Sequence, residues 1–511
     1  MILFPKFDAL NHKAPTRTVA GLCLLLLTFL IFAFPMVNDP DFGWHLKAGQ
    51  TYVTAYSIPS HDIFSFTMSQ YPWVNHEYAI DAFSYLLFQA GANTTLFLSL
   101  FYLFVAVFMF LVVFPRTFNS FLAVDEKCFV GLIALLTTRP FFGVRPQIFD
   151  WLGFLLIILI WKYYERGEQK NILWWCAPIF FVWANIHGGF LIGFFLLGLF
   201  MLFSLGNNLD FRHLNQWISK QKKKILYFTA ILGLSGVVTL FNPYGWQLHL
   251  DIMRTIGNEA MRDMITEWGP SVVSSPLILP FTIYIFFIIL LLMTEKREYE
   301  FSLRDTFCLL LFLLLALASL RFIPFFILLS LPIIHRIYGK NQLILPVLTL
   351  IAFASFFISI YSSKNSMITN EIQKNAVALP LSVSLSSHTT NRHFYAHAPQ
   401  GAFEYIRLNP LKGNLFNDYD WGGSLIWSLP DHPVFIDGRM PYWEYEGRDI
   451  LQDYLTIMNV WAGWDIKIER YDIEWFLIKK TSSLAGVLET LPQQWEKTYE
   501  DNKAIIFERK K

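Results

Sequence analysis

The feature that most constrains this chain is a series of apolar runs, each close to the length needed to cross a lipid bilayer. A helix needs roughly 17–25 residues to span about 30 Å of hydrocarbon. Runs of this kind lie near 19–36, 95–114, 128–142, 147–161, 172–186, 188–206, 225–241, 275–293, 306–320, 322–338 and 341–361. About eleven transmembrane helices are therefore expected. Composition supports this reading, with 54% hydrophobic, 18% aromatic and 15% charged residues, and 51 Phe. A soluble domain carries about 25% charged residues. This chain has too little polar side chain to cover itself in water, and lipid would supply the cover.

The net charge of +1 gives no electrostatic ground for a nucleic-acid partner. Cys23, Cys128, Cys176 and Cys308 all fall in apolar runs, so no disulfide framework is expected. No Cys/His pattern has zinc spacing. The first run follows Lys6, Lys13 and Arg17, and no small-residue cleavage site follows Phe34-Pro35-Met36. It is read as a retained helix.

Loop charge alternates. The leader, Arg116, Lys127, Lys162, Arg166, Lys170, Arg212, Lys220, Lys222, Lys223, Lys224, Lys296, Arg297, Arg304, Arg336 and Lys340 fall on one side. The other side holds Lys47, Arg139, Arg145, Arg254, Arg262 and Arg321. That is about eighteen basic residues against about six, which predicts a cytoplasmic N-terminus and an extracytoplasmic C-terminus in a plasma membrane.

The expected organisation is a transmembrane region over 1–361, with a long first outer loop at 37–94. A polar linker follows at 362–400, then an extracytoplasmic α/β domain over 401–511. Strand patterns occupy Asn414–Asn417, Val434–Asp437, Ile473–Ile478 and Ala504–Glu508. Helical patterns occupy 401–408, 421–429, 447–460 and 482–495. The run Tyr78–Ala90 is amphipathic and reads as a helix lying along the outer membrane surface.

The outer loops carry the polar chemistry. The first contains Asn38-Asp39-Pro40-Asp41-Phe42-Gly43-Trp44-His45, then His61-Asp62, then Asn75-His76-Glu77. Carboxylates just above a bilayer suit a general base, a metal ligand or a sugar-hydroxyl acceptor. For Asp39 and Asp41, helix capping is an equal alternative. Arg139, Arg145 and Arg321 break the charge pattern at outer turns. They suit a lipid-linked phosphate, or else a structural ion pair. Asn185 and His187 lie at the same depth, and His187 alone reads as a structural residue. In the outer domain, Asp420, Trp421, Asp437 and Arg439 sit at strand ends, a placement typical of α/β sites and equally of turns.

With these segments in order, the chain resembles the GT-C class of polytopic glycosyltransferases, such as protein O-mannosyltransferases and aminoarabinose transferases of lipid A. The runs NDPDFGWHLKAGQ, HDIFSFT, WVNHEY, NDYDWGG and VFIDGR are similar to bacterial membrane proteins of this type. The resemblance implies a mainly α, polytopic helical membrane bundle with a C-terminal extracytoplasmic α/β domain. It implies sugar transfer from a polyprenyl-phosphate-type lipid donor to a glycan, lipid or protein acceptor. An acid of the first outer loop would be the base, here Asp39 or Asp41, with His45 nearby. Arg139, Arg145 and Arg321 would hold the donor phosphate. The class's Asp-Glu pair is Asp-Pro-Asp here, which leaves the choice of acid open. A divalent cation, Mg or Mn, could bind at Asp39 and Asp41. The competing readings are a transporter or flippase, and a non-catalytic glycan-assembly protein. A transporter would carry polar groups at mid-membrane and an internal repeat.

Overall fold

The structure is a computed structural model that describes residues 39–118, 134–135, 137–138, 141–169, 171–206, 213–259, 262, 265, 267–271, 278–294, 302–338 and 398–510. The expected spans at 19–36 and 341–361, most of 128–142, most of the linker, and Arg139 lie outside the described residues.

Two helices open the described chain, α1 (Phe42–Ala55) and α2 (Tyr78–Ala90). The bundle continues with α3 (Leu96–Thr117), α4 (Gln147–Glu165), α5 (Cys176–Ala184) and α6 (Phe190–Gly206). Then come α7 (Leu214–Val238), α8 (Gln247–Gly257), α9 (Leu279–Thr294), α10 (Leu303–Ala318) and α11 (Ile323–Tyr338). By length and composition, α3 and α4 can each cross a membrane. Shorter apolar helices cover Ile172–Ala184, Phe190–Gly206 and Leu320–Ile334.

Several of these helices, among them α3, α6 and α9, are apolar on both faces. Phe110, Phe154, Phe180 and Phe312 fill a shared core. Phe104, Leu202, Leu226, Phe286, Met293 and Leu314 point outward and are exposed. A helix apolar all round needs an apolar environment outside as well as a core inside. Local chemistry sets the ends. Ser302 caps α10 by accepting a hydrogen bond from the Asp305 amide at 3.0 Å, and Asp305 adds an acid to the first turn.

Three of the basic residues lie close together at the C-terminal end of α4. Lys162 donates to the Arg116 carbonyl at 2.7 Å, and Arg304 pairs with Glu165. One boundary differs from expectation. Lys220, Lys222, Lys223 and Lys224 lie within α7 rather than in a loop before it. Lysine is a good helix former, and Lys224 lays its stem back to reach the Ser204 carbonyl at 2.7 Å.

The C-terminal region contains α12 (Gln400–Leu408), β1 (Asn414–Asn417), α13 (Gly422–Ser428), β2 (Glu444–Tyr445), β3 (Arg448–Asp449) and α14 (Ile450–Met458). It ends with α15 (Trp464–Arg470), β4 (Ile473–Lys479), α16 (Ser483–Glu489), β5 (Trp495–Glu500) and β6 (Ala504–Arg509). The main sheet has the order β1-β4-β6-β5, with β1 parallel to β4 and the other pairs antiparallel. The central strand β4 is almost wholly buried, as a strand covered on both faces must be. The edge strand β5 carries Glu496 and Lys497 outward, which discourages further pairing.

Two expectations are corrected here. Residues 434–437 form no ladder strand. They are extended, with a single parallel bridge from Val434 to Ser65. Asn417 takes the place of a neighbouring strand: its Oδ1 accepts from the Phe435 amide at 2.8 Å and its Nδ2 donates to the Ile436 carbonyl at 2.8 Å. The helix expected over 482–495 stops at Glu489, and Trp495 opens β5 instead.

Residues 44–73 and the C-terminal region share one core. Trp44, Tyr52, Phe64, Met68 and Trp73 pack with Phe416, Phe435, Trp443 and Ile473. Helices α1 and α13 cross with their backbones touching. A Cβ on Gly43 would lie 2.1 Å from the Gly423 carbonyl oxygen, and one on Gly423 would lie 2.4 Å from that of Pro40.

Candidate functional site

The site lies where three sequence segments meet: 39–45, 420–423 and 437–439. Asp39 and Asp41 precede α1, in the turn that starts the helix. The Asp39 side chain accepts from the Asp41 amide at 3.0 Å, a local turn rather than the helix-capping alternative, since the N-cap residue Asp41 makes no side-chain capping hydrogen bond. It also does more. Asp39 Oδ2 lies 2.6 Å from Arg145 Nε. Arg145 pairs in turn with Glu267. Arg321 Nε is 3.6 Å from the other Glu267 oxygen, and its guanidinium lies over Trp268 at 4.5 Å. Two of the three predicted arginines thus share one carboxylate, and one of them holds the first acid. Asp39 and Glu267 hold the charge on Arg145 against its burial.

Asp41 faces the C-terminal region. A Cβ on Gly438 would lie 1.9 Å from Asp41 Oδ1, so only glycine lets this carboxylate approach the Asp437–Arg439 turn. Burial, Asp39 and Asp437 push the Asp41 carboxyl up to about 7, against the pull of His45 and Arg145. A carboxylate tuned near neutrality can take a proton from a hydroxyl.

Behind this pair, His45 sits one turn further along α1. Its Nδ1 is 2.8 Å from Asp81 and 3.2 Å from Glu77. Burial opposes its charge, but Asp81 and Glu77 outweigh burial and bring it up to about 9. Asn75 steadies Asp81 with a 2.7 Å hydrogen bond. Asn185 accepts from the Tyr78 hydroxyl at 2.5 Å and donates to the Phe181 and Phe241 carbonyls, which ties α5 to α2.

The remaining expected residues divide. Asp437 and Arg439 form a buried ion group with Asp62, at 2.7 Å from Arg439 to each acid. Trp73, Phe64 and Trp443 surround the guanidinium at 4.6, 4.9 and 5.2 Å. Trp421 is buried in the shared core. Asp420 is half exposed and turns to Lys479, away from Asp41. Among the described residues, groups offering three metal-binding atoms are His76, Glu77 and His187, and His45, Glu77 and Asp81. Neither contains Asp39 or Asp41, the expected ligands.

Sequence reasoning missed Glu267, Asp150 and Tyr442. Glu267 carried a signal, as an acid beside Trp268 at a predicted outer turn. Asp150 lay inside an apolar run, where an acid is costly unless paired. It is paired, with Trp183 and His187. Tyr442 reaches Asp251 of α8 at 3.2 Å, and burial lifts the Asp251 carboxyl to about 7.

A helical bundle whose first described segment packs with a C-terminal α/β region is a fold that this chain shares with solved structures of the GT-C type. The particular likeness is to the oligosaccharyltransferase of Archaeoglobus fulgidus tethered with an acceptor peptide containing the NVT sequon. Its TM-score is 0.50 at 9% identity, over 96% of this chain and 74% of that one. ArnT from Cupriavidus metallidurans, bound to undecaprenyl phosphate, matches with a TM-score of 0.49 at 12% identity, over 97% and 98% of the two chains. The archaeal oligosaccharyltransferase AglB from Archaeoglobus fulgidus, with an inhibitory peptide and a dolichol-phosphate, gives 0.49 at 9% identity, over 91% and 70%. No protein-family model and no curated protein sequence matches the chain.

Proposed function

We propose that this protein is an integral membrane glycosyltransferase that moves a sugar from a polyprenyl-phosphate-type donor to an extracytoplasmic acceptor. The observation that carries this reading is the 2.6 Å contact between Asp39 and Arg145, which joins the acid pair of the first outer loop to the arginine pair around Glu267. A sugar–phosphate bond needs a base for the incoming nucleophile and cations for the departing phosphate. Asp41, tuned to about 7, is the base in this reading. Arg145 and Arg321 receive the phosphate, for which guanidinium geometry is suited. Asp39 and Glu267 hold the two arginines in place until the lipid arrives. The acceptor hydroxyl or amide loses its proton to Asp41 as its oxygen or nitrogen bonds to the anomeric carbon of the sugar and the bond from that carbon to the phosphate oxygen breaks, the electron pair leaving with the phosphate.

In the same reading the bundle spans the plasma membrane about eleven times, with the N-terminus in the cytoplasm. The outward-facing apolar side chains of α3, α6, α7, α9 and α10 support a lipid surround. Residues 398–510, with the first loop, form the extracytoplasmic cap that receives a glycan, lipid or protein acceptor. Mg or Mn would aid the departing charge but would have to share Asp39 with Arg145.

The test is sugar transfer in membranes containing the protein, with a panel of radiolabelled polyprenyl-phosphate sugars. Transfer by wild type that is lost in Asp41→Asn at equal expression supports the reading. Equal transfer by wild type and Asp41→Asn, or none by wild type from any donor, sinks it.

A further inference from the structure

Beyond the acid–arginine site lies a second set of buried groups that the transfer reading does not use. Glu77 stands at the start of α2 and directs its two oxygens to opposite sides. Oε2 takes His45 at 3.2 Å. Oε1 faces His187 Nε2 at 3.0 Å and His76 Nε2 at 3.8 Å. All three ligand atoms lie within 4.8 Å of one another. Around a tetrahedral ion with ligands at about 2.0–2.2 Å, neighbouring ligand atoms stand about 3.3 Å apart, and the two edges at Glu77 bracket that value. At 3.8 Å, His76 is too far for a hydrogen bond to Glu77 but well placed to share an ion with it.

The surroundings are built as a metal's outer shell is built. His187 Nδ1 is 2.6 Å from Asp150 Oδ2, which leaves Nε2 directed at Glu77. Trp183 Nε1 fixes the other Asp150 oxygen at 2.7 Å. A Cβ on Gly189 would lie 2.2–2.3 Å from the Asp150 carboxylate, so this glycine, two residues after His187, is what admits the acid. A carboxylate on the far nitrogen of a ligating histidine sets its tautomer and strengthens its lone pair. Glu77 and His187 are buried, while His76 is about one-third exposed and gives an ion its entrance.

We propose that His76, Glu77 and His187 bind one divalent transition metal ion, with Asp150 orienting His187 from behind. Two imidazoles and one carboxylate suit Zn²⁺ better than Mg²⁺, and leave the fourth position open on the His76 side. The ion ties the start of α2 to the α5–α6 turn. Through Glu77 and His45 it also braces α1, which carries Asp41 one turn earlier. The inference stands on these donors and does not depend on the transferase reading.

The test uses the full-length protein, purified in detergent, stripped with a chelator and reloaded with one equivalent of ZnCl₂. Metal content is read by mass spectrometry after desalting, and Co²⁺ is substituted for its visible spectrum. Wild type is expected to hold about one ion per chain, with the intense d–d bands of a four-coordinate Co²⁺ site. His76→Asn and His187→Gln are each expected to retain less than about a tenth as much, and Asp150→Asn to bind about 10–100-fold more weakly. His432→Asn, in the C-terminal region, should hold as much as wild type. If His187→Gln does not elute as a folded monodisperse species, His76→Asn, the more exposed ligand, decides. Wild type that holds no ion after reloading overturns the proposal and leaves a proton between Glu77 and His187. Equal metal in His76→Asn and wild type overturns it too.

Discussion

Asp41 rests its carboxylate on the bare backbone of Gly438, where a Cβ would lie 1.9 Å from Oδ1. The acid comes from the first outer segment and the glycine from the C-terminal region, so this contact is the point at which the two segments fix each other's position. Gly438→Ala must push one of them away. A displacement of about 1 Å at a reacting group can cost about 10²-fold in rate. Transfer is expected to fall by that order, and thermal unfolding in detergent should show a loss of about 1–3 kcal/mol from overpacking.

The pH dependence follows from Asp41. Its charged form, the base, accumulates above about 7. Transfer should therefore rise as pH is raised through about 7 and then level. Asp39 is one of the causes of the upward shift, so Asp39→Asn should move the rising limb to lower pH. The same shift has an opposite sign for stability. A carboxyl whose folded value is raised holds its proton more tightly when folded, so its contribution is lost as pH rises from 3.8 through about 7. Rate profiles and unfolding midpoints between pH 5 and pH 9 would separate the two effects.

Glu267 neutralises Arg145 and Arg321 at once. Its replacement by Gln removes the carboxylate the two guanidinium groups share and leaves Arg145 paired with Asp39 alone, so the pair offers more positive charge to an anionic ligand. Binding of polyprenyl phosphate is expected to tighten in Glu267→Gln and to weaken about tenfold or more in Arg321→Ala, with KM following the same order. Titration with a fluorescent polyprenyl phosphate would read this. Equal affinity in all three proteins would remove the arginines from the donor site.

Arg439 is a stability residue by the same kind of reasoning. Removing it leaves Asp62 and Asp437 buried without a counter-charge. Such a loss costs roughly 3–5 kcal/mol. Arg439→Ala is expected to express poorly and to be cleaved by protease at temperatures wild type survives. Lys479→Ala is the contrast: Lys479 and Asp420 are half exposed and only Asp418 is buried, so a smaller change of about 1 kcal/mol is expected.

Much of this was readable in order, and less of it in space. Periodicity located Tyr78–Ala90 and Asn414–Asn417 to the residue, because burial on one face leaves a pattern along the chain. The segments around Asp39, Asp420 and Asp437 were each visible as acids beside glycines. Their meeting was not, because Gly43, Gly423 and Gly438 read alone as turn residues. Their use as points of backbone approach exists only once α1 crosses α13. Residues 434–436 look like a strand because they are β-branched or aromatic, yet beyond the bridge at Val434 a side chain, Asn417, pairs with their backbone. Asp150 escaped notice because its partners are distant in sequence: Trp183 lies on α5 and His187 in the α5–α6 turn.

The shared core of Trp44, Phe64 and Trp73 with Phe435 and Trp443 has a consequence for biogenesis. The segment from Trp44 to Trp73 is synthesised well before the residues near 443 that it packs against. Until those residues are made and folded beside it, Trp44 and Trp73 lack these partners and Asp41 lacks its floor at Gly438. In the transferase reading, the acid site would therefore be assembled only after the C-terminal region has been made, and a chain broken before Gly438 would be inert.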